Sequence, residues 1–283
     1  MTTSDQTSTV AEYEIRVTNR EEYEEVSKNP DSYPGKNTIV IDSNGNFPIE
    51  INGEHKLVGW FCVRAINESS LVVKNGAKVG VCDNVRVESF DDSTIIARGR
   101  AFVFAHDSSR VEAGGDVFVR MFDNSTAKVQ GHVEVRAEDH SEVDAAGDAS
   151  VRLTDHAKVI AHDYVSVVAS GSSKVEAFDR VNVKSFDESS VIAEGNSVVR
   201  SFENSRIEAR VKTKVFAQGS SYVTAHENSV VEAAGASVVR AFHSAKVTTV
   251  DGGCAVAQVF SSDVSFKGSN IVKCFSEVLR TLR

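Results

Sequence analysis

Lys174-Val-Glu-Ala-Phe-Asp-Arg-Val181, Asn182-Val-Lys-Ser-Phe-Asp-Glu-Ser189 and Ser190-Val-Ile-Ala-Glu-Gly-Asn-Ser197 are three consecutive statements of one eight-residue pattern. Followed outward in both directions, the octad recurs twenty-five times in unbroken succession from Cys62 to Ser261. Its second place is apolar in all twenty-five octads and Val in twenty, and its fourth is Ala in sixteen. Places one, three and five are mostly polar or charged, so the apolar residues alternate with the period of two that marks a strand with one buried face. Place six is usually Gly, Asp or Glu, and place seven commonly Asp, Asn, Ser or His, residues that suit turns. Each octad therefore reads as a short strand and a corner, and the array as a solenoid.

Place eight suggests how many octads close a coil. Every second octad ends in Ser93, Ser109, Ser125 and Ser141, whereas the interleaved ones end in Val85, Ala101, Val117 and Val133, a period of sixteen. Gly99, Gly115, Gly131 and Gly147 repeat that period, but Gly147, Gly171, Gly195 and Gly219 are spaced by twenty-four. Interiors fill to crystal-like density, and a triangular coil of twenty-four residues would enclose more space than Val, Ala and Ser occupy. The expected fold is an all-β, single-stranded β-solenoid (β-helix) with two octads per coil; three octads per coil is the alternative.

Four segments follow from where the repeat holds. Residues 1–10 are polar and expected to be disordered, and 62–261 form the solenoid. Residues 11–61 form an α/β cap, with strands Tyr13 to Val17, Thr38 to Ile41 and Phe47 to Ile51 and a helix from Asn19 to Lys28 capped by Thr18 or Asn19. The turn Ser43-Asn-Gly-Asn precedes the last of these strands, and Pro48 confines it to a sheet edge. Residues 262–283 form a second cap, in which Ile271, Val272, Phe275, Val278, Leu279 and Leu282 follow helical spacing. That helix covers the last coil or docks a partner or a second copy of the chain.

The 31 basic and 40 acidic residues give a net charge of −9, which disfavours nonspecific binding to nucleic acid or an acidic membrane. No apolar run approaches the roughly 18 residues that span a bilayer, and Met1-Thr-Thr-Ser-Asp opens no signal peptide; a cytoplasmic protein is expected. Cys62, Cys82, Cys254 and Cys274 make no CxxC and read as reduced thiols.

Sites are sought where the octads disagree. With two octads per coil, place three of alternate octads puts Arg120, Arg136, Arg152, Lys184 and Arg200 on one side, interrupted by Val168, and Glu112, Asp144, Glu176 and Glu208 on the other, interleaved with Lys128, Ile160 and Ile192. Phe90, Phe102, Phe104, Phe118, Phe122, Phe186, Phe202 and Phe216 accompany the basic side, and Arg beside aromatic rings is the composition of protein-binding hot spots. The competing reading is that place-five rings stack on one another along a corner while the charges solvate the surface. His140 and His156, sixteen apart, could stack on successive coils near Asp139 and Asp155, but no HxH or HExxH supports a metal site. No GxSxG, P-loop or GxGxxG is present, and unbroken octads leave no loops from which to build a cleft. No catalytic residue, metal or cofactor is expected.

Ser197-Val-Val-Arg-Ser-Phe-Glu-Asn-Ser205 and Ser221-Tyr-Val-Thr-Ala-His-Glu-Asn-Ser229 resemble the octapeptide-repeat proteins of bacterial and phage origin, which read SATVxAYG or SATVxAYD. The resemblance covers about 200 of the 283 residues. It implies a β-solenoid of bacterial or phage context and no catalytic residues. More Phe and more charge at outward places set this chain apart. The function expected is a non-enzymatic scaffold that binds a protein partner through its charged, Phe-bearing face, with the terminal helix as a possible route to a homo-oligomer. A nucleic-acid mimic that inhibits a DNA-binding enzyme and a carbohydrate-active β-helix enzyme are the alternatives.

Overall fold

In a computed structural model, which describes residues 13–36, 38–43, 48–52, 62–250, 256–260, 263–268 and 271–273, the octads pair as the place-eight serines suggest. Strands are parallel and in register with those sixteen residues away, as in Glu134↔Ser150, Ser150↔Ser166 and Ser166↔Asn182. The fold is an all-β parallel β-solenoid with two octads per coil. Places one to four form the strand. Places two and four point inward, so Val135, Val151, Val167 and Val183 make one continuous buried row and Ala137, Leu153, Ala169 and Ser185 the next. Burying each Val side chain stabilises the coil by roughly 1.5–3 kcal/mol, and its β-branch suits the strand. Place eight also points inward, and several of its serines are satisfied locally: the Ser93, Ser125, Ser141 and Ser189 hydroxyls donate to the place-five carbonyls of Phe90, Phe122, Glu138 and Phe186 at 2.6–2.7 Å, whereas those of Ser109, Ser173, Ser221 and Ser229 find no partner among the described residues.

The corner explains the composition of place six, where the backbone is left-handed in octad after octad. Asp91, Asp107, Asp123, Asp139 and Asp155 have φ of 55–58°, and Gly99, Gly115, Gly131 and Gly147 have φ of 74–90°. Only Gly, and to a lesser degree Asn and Asp, adopts this conformation readily. Glycine and aspartate thus answer one backbone requirement at either corner of a coil, which is why glycine spacing drifts to twenty-four without any change of coil size. The aspartates add a bond. The Asp107 and Asp139 carboxylates accept from the amides of Asp91 and Asp123, both at 3.1 Å, and Asp163 and Asp187 do so from Gly147 and Gly171, at 3.0 and 2.9 Å.

The chain divides into two compact units, Met1–Val119 and Arg120–Arg283. In the first, one sheet runs Glu14–Val17, Thr38–Ile41, Cys62–Ala65, Lys78–Val81, Thr94–Ala97 and Arg110–Gly114 in spatial order. The other runs Ile49–Asn52, Ser70–Lys74, Arg86–Ser89 and Phe102–Ala105. The strands of the N-terminal segment therefore continue both sheets, with longer connections: Thr38 pairs with Cys62, and Ile49 with Leu71. The strand after Pro48 lies at its sheet's edge, as the proline requires. The helix Arg20–Lys28 occupies one long connection, capped by the Asn19 side chain, which accepts from the Glu22 amide, and it buries Tyr23 and Val26. The Thr18 amide, donating to Glu22, holds that carboxyl below its usual range. The polar stretch 1–10 and Asn44 to Asn46 of the expected turn lie outside the described residues.

The second unit departs from the octad near its end. Val238 pairs with Val256 and Ala241 with Val259, a step of eighteen, so two extra residues enter between Thr249 and Val256. This corrects the expectation of unbroken octads to Ser261: Ala257 and Val259, not Ala255 and Ala257, align with the inward places. The register does not end there. Ser265–Lys267 pairs with Lys246–Thr249, and Ile271–Lys273 with Val256–Val259. Ile271 and Val272 thus belong to a strand rather than to the expected helix, because the edge of Val256–Val259 offers them backbone partners; the rest of that helix lies outside the described residues. No helix among the described residues is long and apolar enough to cross a membrane.

Candidate binding face

In the second unit, places one and three of each strand face outward, and the two sheets carry different charge patterns. One sheet aligns Arg136↔Arg152, Arg152↔Val168, Val168↔Lys184 and Lys184↔Arg200 as nearest neighbours across successive strands. Arg120 lies on the strand Phe118–Met121, next in the sheet order to Glu134–Ala137. Neighbouring strands are about 4.8 Å apart, so Arg136 beside Arg152 and Lys184 beside Arg200 are close like-charged pairs. The opposite sheet mixes its signs within the row and across it. Lys128 pairs with Asp144 at 3.9 Å and Lys158 with Glu142 at 2.6 Å, while Arg210, at the adjoining corner, bonds both Glu194 and Glu208. Of the acidic residues expected here, Asp144 is paired by Lys128 from the adjacent coil and Glu208 by Arg210 of its own coil, while Glu176 faces outward with no ion pair among the described residues.

The basic side divides into cations that are occupied and cations that are not. Arg120 bonds Glu138 at 2.9 Å and lies 4.8 Å from the Phe122 ring centre; Arg136 bonds Glu134 at 3.2 Å. Arg200 lies over Phe216 at 5.5 Å. The side chains of Arg152 and Lys184 are exposed and make no hydrogen bond, ion pair or ring contact among the described residues. Lys214, opposite Val198 at place one, adds a further cation to this face; a reading of place three alone passes over it, although its odd place in the strand marks it as outward.

The phenylalanines separate into two groups. Place-five rings sit at corners, not on the sheet face. Phe186 and Phe202 stack at 4.8 Å and 8°, and Phe90, in the first unit, stacks on His106 at the same distance and angle. His162 with Phe178, and His226 with Phe242, do likewise along the other corner. The stacking set against a binding role is thus what these rings do, at about 0.5–1.5 kcal/mol per pair. The face rings belong mostly to the first unit: Phe102 is 47% exposed and contacts Phe118 at 6.3 Å, and Phe104 lies under Arg86 at 4.8 Å.

His140 and His156 stack at 5.1 Å, as their spacing suggests. The carboxylate of Asp139 beside them is engaged by the Asp123 amide, and among the described residues no group of three His, Cys, Asp or Glu side chains is placed to hold a metal. A depression of about 300 Å³ on the mixed sheet is lined by Glu142, Asp144, Lys158, Ile160 and Glu176. Two of its three carboxylates hold the lysine pairs described above. Cys82 is a free, half-buried thiol whose pKa is pushed up, first by burial and then by Asp83, so its reactive thiolate is disfavoured.

No family model, curated protein or solved structure matches this chain. Its chemistry must be read from its own residues.

Proposed function

We propose that this protein is a non-enzymatic binding scaffold that engages a protein partner through the basic sheet face of its second unit. One observation carries the reading: Arg152 and Lys184 stand unneutralised in a row with Arg136 and Arg200 that holds no acid, while the other sheet of the same unit mixes acids and bases within its rows and pairs several of them. Aligning like charges on neighbouring strands is destabilising in isolation, so the row costs the fold something that a complementary partner would offset. Arg is also favoured at interface hot spots because its planar fork binds carboxylates with two parallel bonds. The coil supplies a rigid backing, since each strand is hydrogen-bonded on both sides and its inward residues are close-packed. A cationic face is the wrong sign for a nucleic-acid mimic. The octapeptide-repeat resemblance supports a bacterial or phage assembly or conflict system as the setting of this scaffold.

The test is affinity capture with the intact chain and with a variant in which Arg136, Arg152, Lys184 and Arg200 are each changed to Ser. Partners recovered by the first and lost by the second are the expected outcome. Equal recovery by both would overturn the reading.

A further inference from the structure

Resting on that reading, we infer that the partner presents a narrow acidic peptide segment to the row Arg136, Arg152, Lys184 and Arg200. Three features of the face lead there. First, the row is cationic although the chain as a whole carries −9, so attraction is confined to a stripe. Second, the stripe is bounded by acid. The corners that follow the strands of Arg136, Arg152, Lys184 and Arg200 place Asp139, Asp155, Asp187 and Glu203 at place six, and these carboxylates repel a broad polyanion that overlaps them. A strand of four residues is only about 13 Å long at 3.3 Å per residue. A double helix whose grooves alone measure about 12 and 6 Å across is wider than that and would bring its phosphates against the corners, whereas a single extended chain would not.

Third, the residues beside the cations leave room for a backbone. Place one of the three central strands holds Ser150, Ser166 and Asn182, all short and exposed, between Glu134 and Val198 on the outer two. Next to the long Arg and Lys side chains they form a low shelf along the row. Val168 interrupts the charge at its centre. The pattern of two cations, one apolar residue and two cations asks for an acidic segment with an apolar residue near its middle. The cations are about 4.8 Å apart from strand to strand, and alternate side chains of an extended peptide repeat at about 6.6 Å; flexible Arg and Lys side chains span that difference.

The experiment uses the full chain and a fluorescent glutamate-rich peptide of about eight residues, long enough at roughly 3.3 Å per residue to cover the row. Binding is read by anisotropy at low and moderate salt. The intact chain is expected to bind this peptide, to lose affinity as salt rises and to ignore the same peptide with Gln for Glu. The double variant Arg152→Ser, Lys184→Ser is expected to bind at least tenfold more weakly, with its circular dichroism and melting unchanged. The charge-conserving Arg152→Lys, Lys184→Arg should retain binding, and Lys158→Ser, Lys174→Ser on the other sheet should match the parent. The inference is overturned if the peptide does not bind at low salt, if the double variant binds like the parent, or if a single-stranded or duplex oligonucleotide binds more tightly than the peptide. Should the peptide fail while the four-site Ser variant still loses captured partners, the face is a binding face and only the acidic-peptide chemistry is wrong.

Discussion

Corners and faces of this solenoid lie three residues apart in the octad and obey opposite rules. Place six is dictated by the backbone: φ is positive there, so the residue is Gly, Asp or Asn in most octads, with Glu203, Val211, Glu227 and His243 as exceptions. Place three is dictated by nothing inside the molecule, and it holds Arg, Lys, Glu, Asp, Ile, Val and Phe in turn. Regularity at the corner therefore reports on folding, and irregularity on the face is where selection for a partner has room to act. A related contrast separates the two sheets of the second unit, one that mixes acids with bases and pairs several of them across coils, and one that aligns cations with no acid in the row.

The sharpest way to break this comparison is to violate the corner. A Cβ at position 219 would lie 2.6 Å from the Glu203 amide nitrogen, in a backbone with φ of 66°. Gly219→Ala is expected to destabilise by about 2–4 kcal/mol, combining ~1–2 of left-handed strain with ~1–3 of overpacking, and to lower the melting temperature accordingly. Aspartate at a corner tests the two parts separately. Asp139→Ala loses both the tolerance of φ 55° and the bond from the Asp123 amide, and should cost about 1–3 kcal/mol. Asp139→Gly keeps the first and should cost less; equal losses in denaturant titrations would show that the carboxylate bond matters little.

Among the positions that break the corner and inner-row rules are Val211 and Ser201, and correcting them should raise stability. Val211 sits at place six with φ of 42°, a poor conformation for a β-branched residue. Val211→Asn should stabilise by about 1 kcal/mol. Ser201 occupies inward place four, fully buried, and its hydroxyl finds no hydrogen-bond partner among the described residues. Ser201→Ala, the residue most octads use there, should stabilise by about 1 kcal/mol; a loss on melting would argue for an unseen partner. The smallest effect belongs to the face: Arg152→Ser should leave the melting temperature within the change expected for about 0.5 kcal/mol while weakening binding of the acidic peptide. A large loss of stability would erase the distinction between the two places.

The fold was legible because it rests on local properties repeated many times. Val at place two, Ser at place eight and a turn residue at place six each act on their own backbone or on the next few atoms, so their spacing reports the coil directly. The ends were harder to read. The two residues added before Val256 and the strand at Ile271–Lys273 leave no mark on the alternation, since apolar residues such as Ala255 and Ala257 satisfy either register until a neighbouring strand selects one. The candidate face was legible in part. Arg152 and Lys184 were found by counting, but Phe186 and Phe202 were grouped with them although their rings stack at a corner.

By itself the sequence determined the strand, the corner, the inward rows and the sixteen-residue coil, because those follow from alternation, β-branching and left-handed turns within a few residues. Tertiary structure decided which charges are spent inside the molecule and which remain outside it. The partners of Lys128, Lys158 and Arg210 include residues about sixteen positions away, brought close only by stacking one coil on the next, and Arg152 and Lys184 stand out only once those pairings are made.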